Sequence, residues 1–237
     1  MSVPPAEPVP RSVPVSGVFA WLATAMGTFK RDPFVWCVLG LITLASKVAL
    51  ELVPGIGRAA SAVIVPVVEC GLFVAAAAAD RGGRPAIGHA LAAFRAPPRA
   101  LAAIVVSALM VTAAEAAAAY ALAGVNLLAD ASEADLATGA FVAVLATAIL
   151  ASLPLLFVPF AALFGQARIA EAFAASVRGF ALNVAPLLLL GLLSLVLTLI
   201  GLATFLIGLI AVIPLLALTS YAAWKDIYQP HPALKPY

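Results

Sequence analysis

Long apolar runs divided by short polar breaks set the layout of this chain. The longest occupies positions 179–224, bounded by Arg178 and Lys225, with no charged residue inside it. As one helix it would be roughly 70 Å long at about 1.5 Å per residue. A bilayer core is only about 30 Å thick and is crossed by about 20 residues. The run therefore predicts two spans, 183–200 and 205–224, with a break at 201–204. The same measure gives a first span at 34–53, ended by Pro54-Gly55-Ile56-Gly57, and a second at 59–79, closed by Asp80 to Arg84. A third, alanine-rich span follows at 100–124 and a fourth at 139–164. Proline and glycine supply the breaks. A polar loop at 126–138 carries Asp130, Glu133 and Asp135.

Three shorter segments alternate polar and apolar residues at helical spacing. Positions 17–31 place Phe19, Leu22, Met26 and Phe29 on one face. Positions 85–95 do the same with Ile87, Leu91 and Phe94, and 168–183 with Ile169, Phe173 and Val177. Each is too short to cross a bilayer, and each predicts an amphipathic helix lying at the interface. The pattern is that of an all-α membrane protein: six transmembrane helices with three short interfacial helices, a membrane domain over 17–228. Ahead of it, a proline-rich leader over 1–16 is expected to be extended, disordered and cytoplasmic. Behind it, 229–237 reads as a polar cytoplasmic tail.

The same order of elements recurs three times: interfacial helix, basic residue, span, turn, span. The second span of each unit carries a proline after branched or aromatic residues, at Ile64-Val65-Pro66, Phe157-Val158-Pro159 and Val212-Ile213-Pro214. A threefold internal repeat is one reading. The other is that alanine-rich sequence aligns easily with itself.

Composition agrees with the membrane class. The chain is 65% hydrophobic and 10% charged, against about 25% charged residues in soluble domains. A net charge of +2 is no nucleic-acid signal, and no nucleic-acid partner is expected. The distribution of charge says more. With six spans, Arg11, Lys30, Arg31, Arg81, Arg84, Arg95, Arg99, Arg168, Arg178, Lys225 and Lys235 share one side, while Arg58 alone marks the other. Basic loops stay in the cytoplasm, so both termini are expected there. Basic interfacial segments are drawn to anionic lipid. Lys30, Arg31, Arg95, Arg99 and Arg178 are the candidate headgroup contacts.

Candidate chemistry rests on charges inside the spans. Lys47, Glu69 and Glu115 lie there, and a charge at mid-membrane costs about 2.5–3.5 kcal/mol on insertion scales, so it normally faces the bundle interior. Glu51 follows Lys47 by one helical turn. Glu115 reaches the depth of Lys47, where the two can pair; Glu69 lies nearest the bilayer centre, with no obvious partner. Lys47, Glu51, Glu69 and Glu115 form the candidate intramembrane polar cluster, whose functional reading is a proton or ion relay through Glu69 and Glu115. The structural one is an ion pair plus a protonated, hydrogen-bonded glutamate. Cys37 and Cys70 read as small packing residues. His89 and His231 join no metal-ligand spacing, and Gly55-Ile56-Gly57 is no nucleotide fingerprint. No catalytic residue, metal or cofactor is indicated. The leading expectation is a non-enzymatic scaffold or accessory subunit engaging lipid, a membrane-protein partner or a second copy. The alternative is a small transporter or channel, marked out if Lys47, Glu69 and Glu115 converge on a hydrated cavity.

Several stretches resemble a family of uncharacterised multi-pass inner-membrane proteins of proteobacteria. They are 29–36 (FKRDPFVW), 53–57 (VPGIG), Pro66 with Gly71, 87–95 (IGHALAAFR), 171–183 (EAFAASVRGFALN) and 220–228 (SYAAWKDIY). Trp224, Lys225 and Tyr228 stand where that family has Tyr, Arg and Phe. The likeness covers about 29–228 and is poor over 100–151. The family resembles, more distantly, the membrane domain attached to some glycerophosphodiester phosphodiesterases. That implies a link to lipids but transfers no catalytic residue.

Overall fold

The structure is a computed structural model describing residues 9–127, 136–165 and 167–228. The acidic loop residues Asp130, Glu133 and Asp135, the first half of the leader and the 229–237 tail lie outside the described residues. Helix is the only regular structure among those described. In chain order the elements are α1 (Gly17–Arg31), α2 (Pro33–Glu51), α3 (Gly57–Asp80), a 3₁₀ segment (Ile87–Arg95), α4 (Pro98–Ala123), α5 (Thr138–Ser152), α6 (Val158–Phe164), α7 (Ile169–Leu182), α8 (Val184–Ala203) and α9 (Leu209–Tyr228). Six stretches are long and apolar enough to cross a membrane: α2, α3, α4, α5 with α6, α8 and α9. Pro33 and Pro98 open α2 and α4 at the first helical turn, where the missing N–H has no partner to lose.

Burial separates centre from rim. In α3, 61% of the apolar stretch is buried and in α9 50%, against 22–28% in the other four spans. So α3 and α9 form the middle of the bundle. The rim helices turn Leu41, Leu109, Leu150 and Leu192 outward, a belt of apolar surface suited to lipid and not to water.

The three expected units pack cyclically. The first span of each unit lies against the second span of the unit before it: α4 on α3, α8 on α5, and α2 on α9, which closes the ring. The short segments follow the same rule: the 3₁₀ segment sits on α3, α7 on α6 and α1 on α9. Each turns small residues to the bundle, Ala25 in α1, Ala90 and Ala93 in the 3₁₀ segment, and Ala172 and Gly179 in α7. Larger ones, among them Phe19, Ile87, Leu91, Phe94, Ile169 and Val177, remain exposed. Val18 and Trp21 are buried on the inner side of α1, so that helix is anchored to the protein as well as facing the interface.

Two features depart from the sequence reading. The fourth span is not one helix. It breaks at Leu153–Leu155, where Pro154 cannot donate its backbone hydrogen bond. The freed groups are recovered by buried Ser176 of α7, whose hydroxyl donates to the Pro154 carbonyl (2.7 Å) and accepts from the Phe157 N–H (3.0 Å). Ser176→Ala would strand both, at about 1–3 kcal/mol for each buried unsatisfied group. A lower midpoint on titration from mild detergent into dodecyl sulfate is the expected result; an unchanged midpoint would remove Ser176 as the support of the break.

The second departure concerns the leader. Its described half, 9–16, is docked and not disordered. The Arg11 N–H donates to the Ile227 carbonyl (2.8 Å) and the Val13 N–H to Asn183 Oδ1 (2.8 Å). Asn183 Nδ2 returns bonds to the Arg11 and Gly179 carbonyls (2.9 and 3.0 Å). Asn183 is 1% exposed, so it acts as a clasp, satisfied on both sides, between the leader and the elbow where α7 meets α8. The composition of the leader signals extension; it does not signal that the extended chain has a groove to lie in.

Candidate functional site

The intramembrane charges converge. Lys47 and Glu51 of α2, Arg58 and Glu69 of α3 and Glu115 of α4 all line one cavity of about 400 Å³. Helical periodicity builds its walls. On α3, Arg58, Ser61, Val65, Glu69 and Phe73 recur at three- and four-residue steps along one stripe; on antiparallel α4, Ile104, Ser107, Val111 and Glu115 do the same. Residues so spaced share a helix face. The broken fourth span closes the remaining side with Ser152, Leu155, Leu156 and Pro159. Irregular backbone at membrane depth is tolerated where protein buries it or where it lines a cavity. Here Ser176 covers one side and the cavity the other.

The cavity is polar at one end and apolar at the other. Lys47 and Glu51 form an ion pair at 3.6 Å with both side chains substantially exposed. Arg58 donates to the Leu127 carbonyl and so ties the chain leaving α4 across the same end. Glu69 stands about 18 Å along α3 from Gly57, close to mid-helix. It is exposed, yet the surrounding protein encloses it, so its accessibility is to the cavity. The ammonium of Lys47 acts electrostatically on it, a neighbour that the sequence did not assign to Glu69. Glu115 is half-buried on the opposite wall. Below Glu69 the cavity ends on Phe73 and Ile104. Phe73 packs on Phe160 with ring centroids 4.4 Å apart, and Phe160 stacks on Trp224 at 5.5 Å. This aromatic plug seals the end toward the basic face.

A second polar group lies on that basic face. Arg11 pairs with Asp226, which also accepts from Trp21 Nε1 (2.8 Å). Lys225 pairs with Asp80 (2.7 Å), and the Tyr221 hydroxyl donates to Asp80 (3.2 Å). The Tyr228 hydroxyl donates to the Ala175 carbonyl (2.7 Å). Nearly every polar side chain of 220–228 thus fastens α9 to a neighbour: the leader, α1, α3 or α7. The groups satisfy one another, which makes this a staple holding the ring closed. No protein-family model, curated protein or solved structure matches the chain.

The geometry alone therefore sorts the candidates. Lys47, Glu51, Glu69 and Glu115 line one cavity. Lys30, Arg31, Arg95, Arg99 and Arg178 are exposed on the basic face and do not enter the cavity. The sequence reading missed Arg58, Ser61, Ser107, Thr112 and Ser152 as cavity residues. A signal was available. Ser61 precedes Glu69 by eight residues and Ser107 precedes Glu115 by eight, so each serine lies two turns from a glutamate on the same face.

Proposed function

We propose that this protein is a membrane carrier whose substrate site is the cavity between α2, α3, α4 and the broken fourth span. One observation carries the reading: five charged side chains from three different spans line a single cavity that runs from the polar end of the bundle to Glu69 near mid-helix. A structural bundle has no use for that arrangement. Burying charge is costly, and ordinary packing would pair such groups tightly or replace them with apolar residues. The aromatic plug beneath Glu69 favours a carrier over an open channel. Pro66 and Pro159 lie in the cavity walls and loosen the helices that would have to move. A discontinuous helix beside a midplane site is a recurring feature of secondary transporters.

With both termini in the cytoplasm of a bacterial inner membrane, the polar mouth faces outward and the plug inward. Anionic lipid engages Lys30, Arg31, Arg95, Arg99 and Arg178 on the cytoplasmic face. No catalytic step is part of this function, and the resemblance to uncharacterised inner-membrane proteins fits it without adding a substrate.

The test is flux. Purified protein is reconstituted in vesicles, and uptake of radiolabelled benzyltrimethylammonium, benzenesulfonate and glycerol is followed against protein-free vesicles. Saturable, protein-dependent uptake of one of them is expected. Uptake indistinguishable from empty vesicles for all three would return the scaffold or accessory-subunit reading to first place.

A further inference from the structure

We infer that the cavity takes a monovalent organic cation with an apolar body, and that this cation and a proton compete for the carboxylate of Glu69. The inference rests on the carrier reading above and names its substrate class and its driving ion.

Charge bookkeeping in the cavity comes first. Arg58 is engaged with the Leu127 carbonyl and Lys47 with Glu51. Among the described residues no side chain donates a hydrogen bond to Glu69; its neighbour is the charge of Lys47, already paired. Glu69 is also the deepest of the charged groups, with the plug beneath it. A carboxylate there is costly unless something positive meets it. A proton can do so, and so can a cation entering from the mouth. The five acidic and basic side chains of the lining comprise three carboxylic acids and two bases, so an entering cation is favoured over an anion.

The shape of the site selects the kind of cation. No three carboxylate, imidazole or thiol side chains among the described residues come together as a metal set, whereas calcium needs six to eight oxygens. Around Glu69 the walls are Val65, Ile104, Val111 and Leu155, with the ring of Phe73 at the floor. Aliphatic walls accept an apolar body, and an aromatic face attracts an organic cation. About 400 Å³ falls in the range of small-molecule sites, about 300–1,000 Å³.

The exchange balances without a further reagent. In the empty site the Glu69 carboxyl holds its proton. As the cation arrives, the O–H bond breaks, its electron pair stays on the carboxylate, and the proton leaves through the polar mouth. One positive charge enters and one departs. Reversal on the other side of the membrane makes the cycle a cation–proton exchange. The groups that face Glu69 are Lys47 and Glu51 from α2, Arg58 and Cys70 from α3 and Glu115 from α4; the broken span contributes none that titrates. Of the other elements packed on α3, α9 turns Tyr221 and Lys225 to Asp80, and the ring of His89 accepts from the Ala86 N–H. Glu115 is thus the rival proton carrier.

The experiment is calorimetric titration of the full chain in detergent with benzyltrimethylammonium, benzenesulfonate and benzyl alcohol, across pH and in buffers of different ionisation heat. The cation alone is expected to bind. Its affinity should rise up to about tenfold per pH unit while Glu69 is protonated and then level off, with about one proton released per cation bound on the rising limb. Glu69→Gln should abolish binding. Glu69→Asp should keep it in weakened form, which shows that loss in the glutamine variant is loss of the carboxyl and not of the fold. Cation binding that is independent of pH, or intact in Glu69→Gln, would overturn the exchange and leave the carrier standing. So would a pH dependence lost in Glu115→Gln and kept in Glu69→Gln. Binding of benzenesulfonate or benzyl alcohol in place of the cation would overturn the substrate class but not the carrier. No binding of any probe, together with no flux, would remove both.

Discussion

Gly40→Leu is expected to prevent the six-span bundle from closing. Gly40 is the eighth residue of α2 and meets α9 where the two backbones almost touch. A Cβ placed there would sit 2.8 Å from Cδ of Pro214 and would collide with the Ile210 carbonyl. Neither can yield as a flexible side chain would: one is main chain and the other a proline ring inside a helix. Ordinary overpacking costs about 1–3 kcal/mol. Here the helices must separate, which puts the change in the exceptional class above about 4–5 kcal/mol. The separation would also pull on the Asp226 and Asp80 staples, because both hang on α9. Gly191 is likewise the eighth residue of its span, α8, and lies against the Leu153 side chain; its replacement should be milder, since a leucine can turn aside. Size-exclusion profiles in detergent would check this, with loss of the monodisperse peak for Gly40→Leu and retention for Gly191→Ala. A monodisperse Gly40→Leu protein of unchanged thermal midpoint would mean that α2 and α9 do not approach as described.

The three cyclic junctions differ at the position that Gly40 occupies in α2. Two of the three cyclic junctions carry a glycine at the eighth residue of the incoming span. In α4 that position is Val105, and α4 contains no glycine. The cavity beside this junction is lined by Ser61, Ser107, Thr112 and the charges. The three units are alike in the order of their elements and in which spans meet, and the candidate site lies beside the α3–α4 junction.

Much of the fold was legible because the membrane imposes a length. The uncharged run over 179–224 had to be two spans, and α8 and α9 occupy Val184–Ala203 and Leu209–Tyr228. The turn came a few residues later than the 201–204 break, at Phe205 and Leu206, which adopt positive φ. Local propensity gives no warning of that, since bulky residues rarely take left-handed conformations. The three interfacial segments were legible from their spacing. The break in the fourth span was not, because its support, Ser176, lies on another element and looks like an ordinary helical serine. The staple on the basic face was hidden for the same reason: Asp80 reads only as the close of the second span until α3 and α9 are brought side by side. The cavity stood between these cases. Its glutamates and Lys47 were conspicuous by type, whereas its serines and Arg58 acquire meaning only from the eight-residue interval that puts them on the same faces.

Filling the cavity separates transport from scaffolding. Ala108 lies on the cavity stripe of α4 beside Ser107, while Ala117 points outward on the same helix. In Ala108→Trp the indole would occupy space between α3 and α4 near Glu69, where the carboxylates give its N–H an acceptor. The core packing of α3 on α9 is untouched by this change, so the size-exclusion profile should be retained. Uptake in vesicles should fall by at least about tenfold, roughly 1.4 kcal/mol in the barrier to passage, and cation binding should weaken in parallel. Ala117→Trp, facing lipid, should leave both unchanged. A scaffold would respond otherwise: its partners dock on outer faces, so Ala108→Trp would be silent and Ala117→Trp the variant to lose them. Ala108→Trp that folds and transports at the unaltered rate would show that solute does not pass this cavity. The carrier reading would then fail at its one essential point, the passage of solute through the cavity.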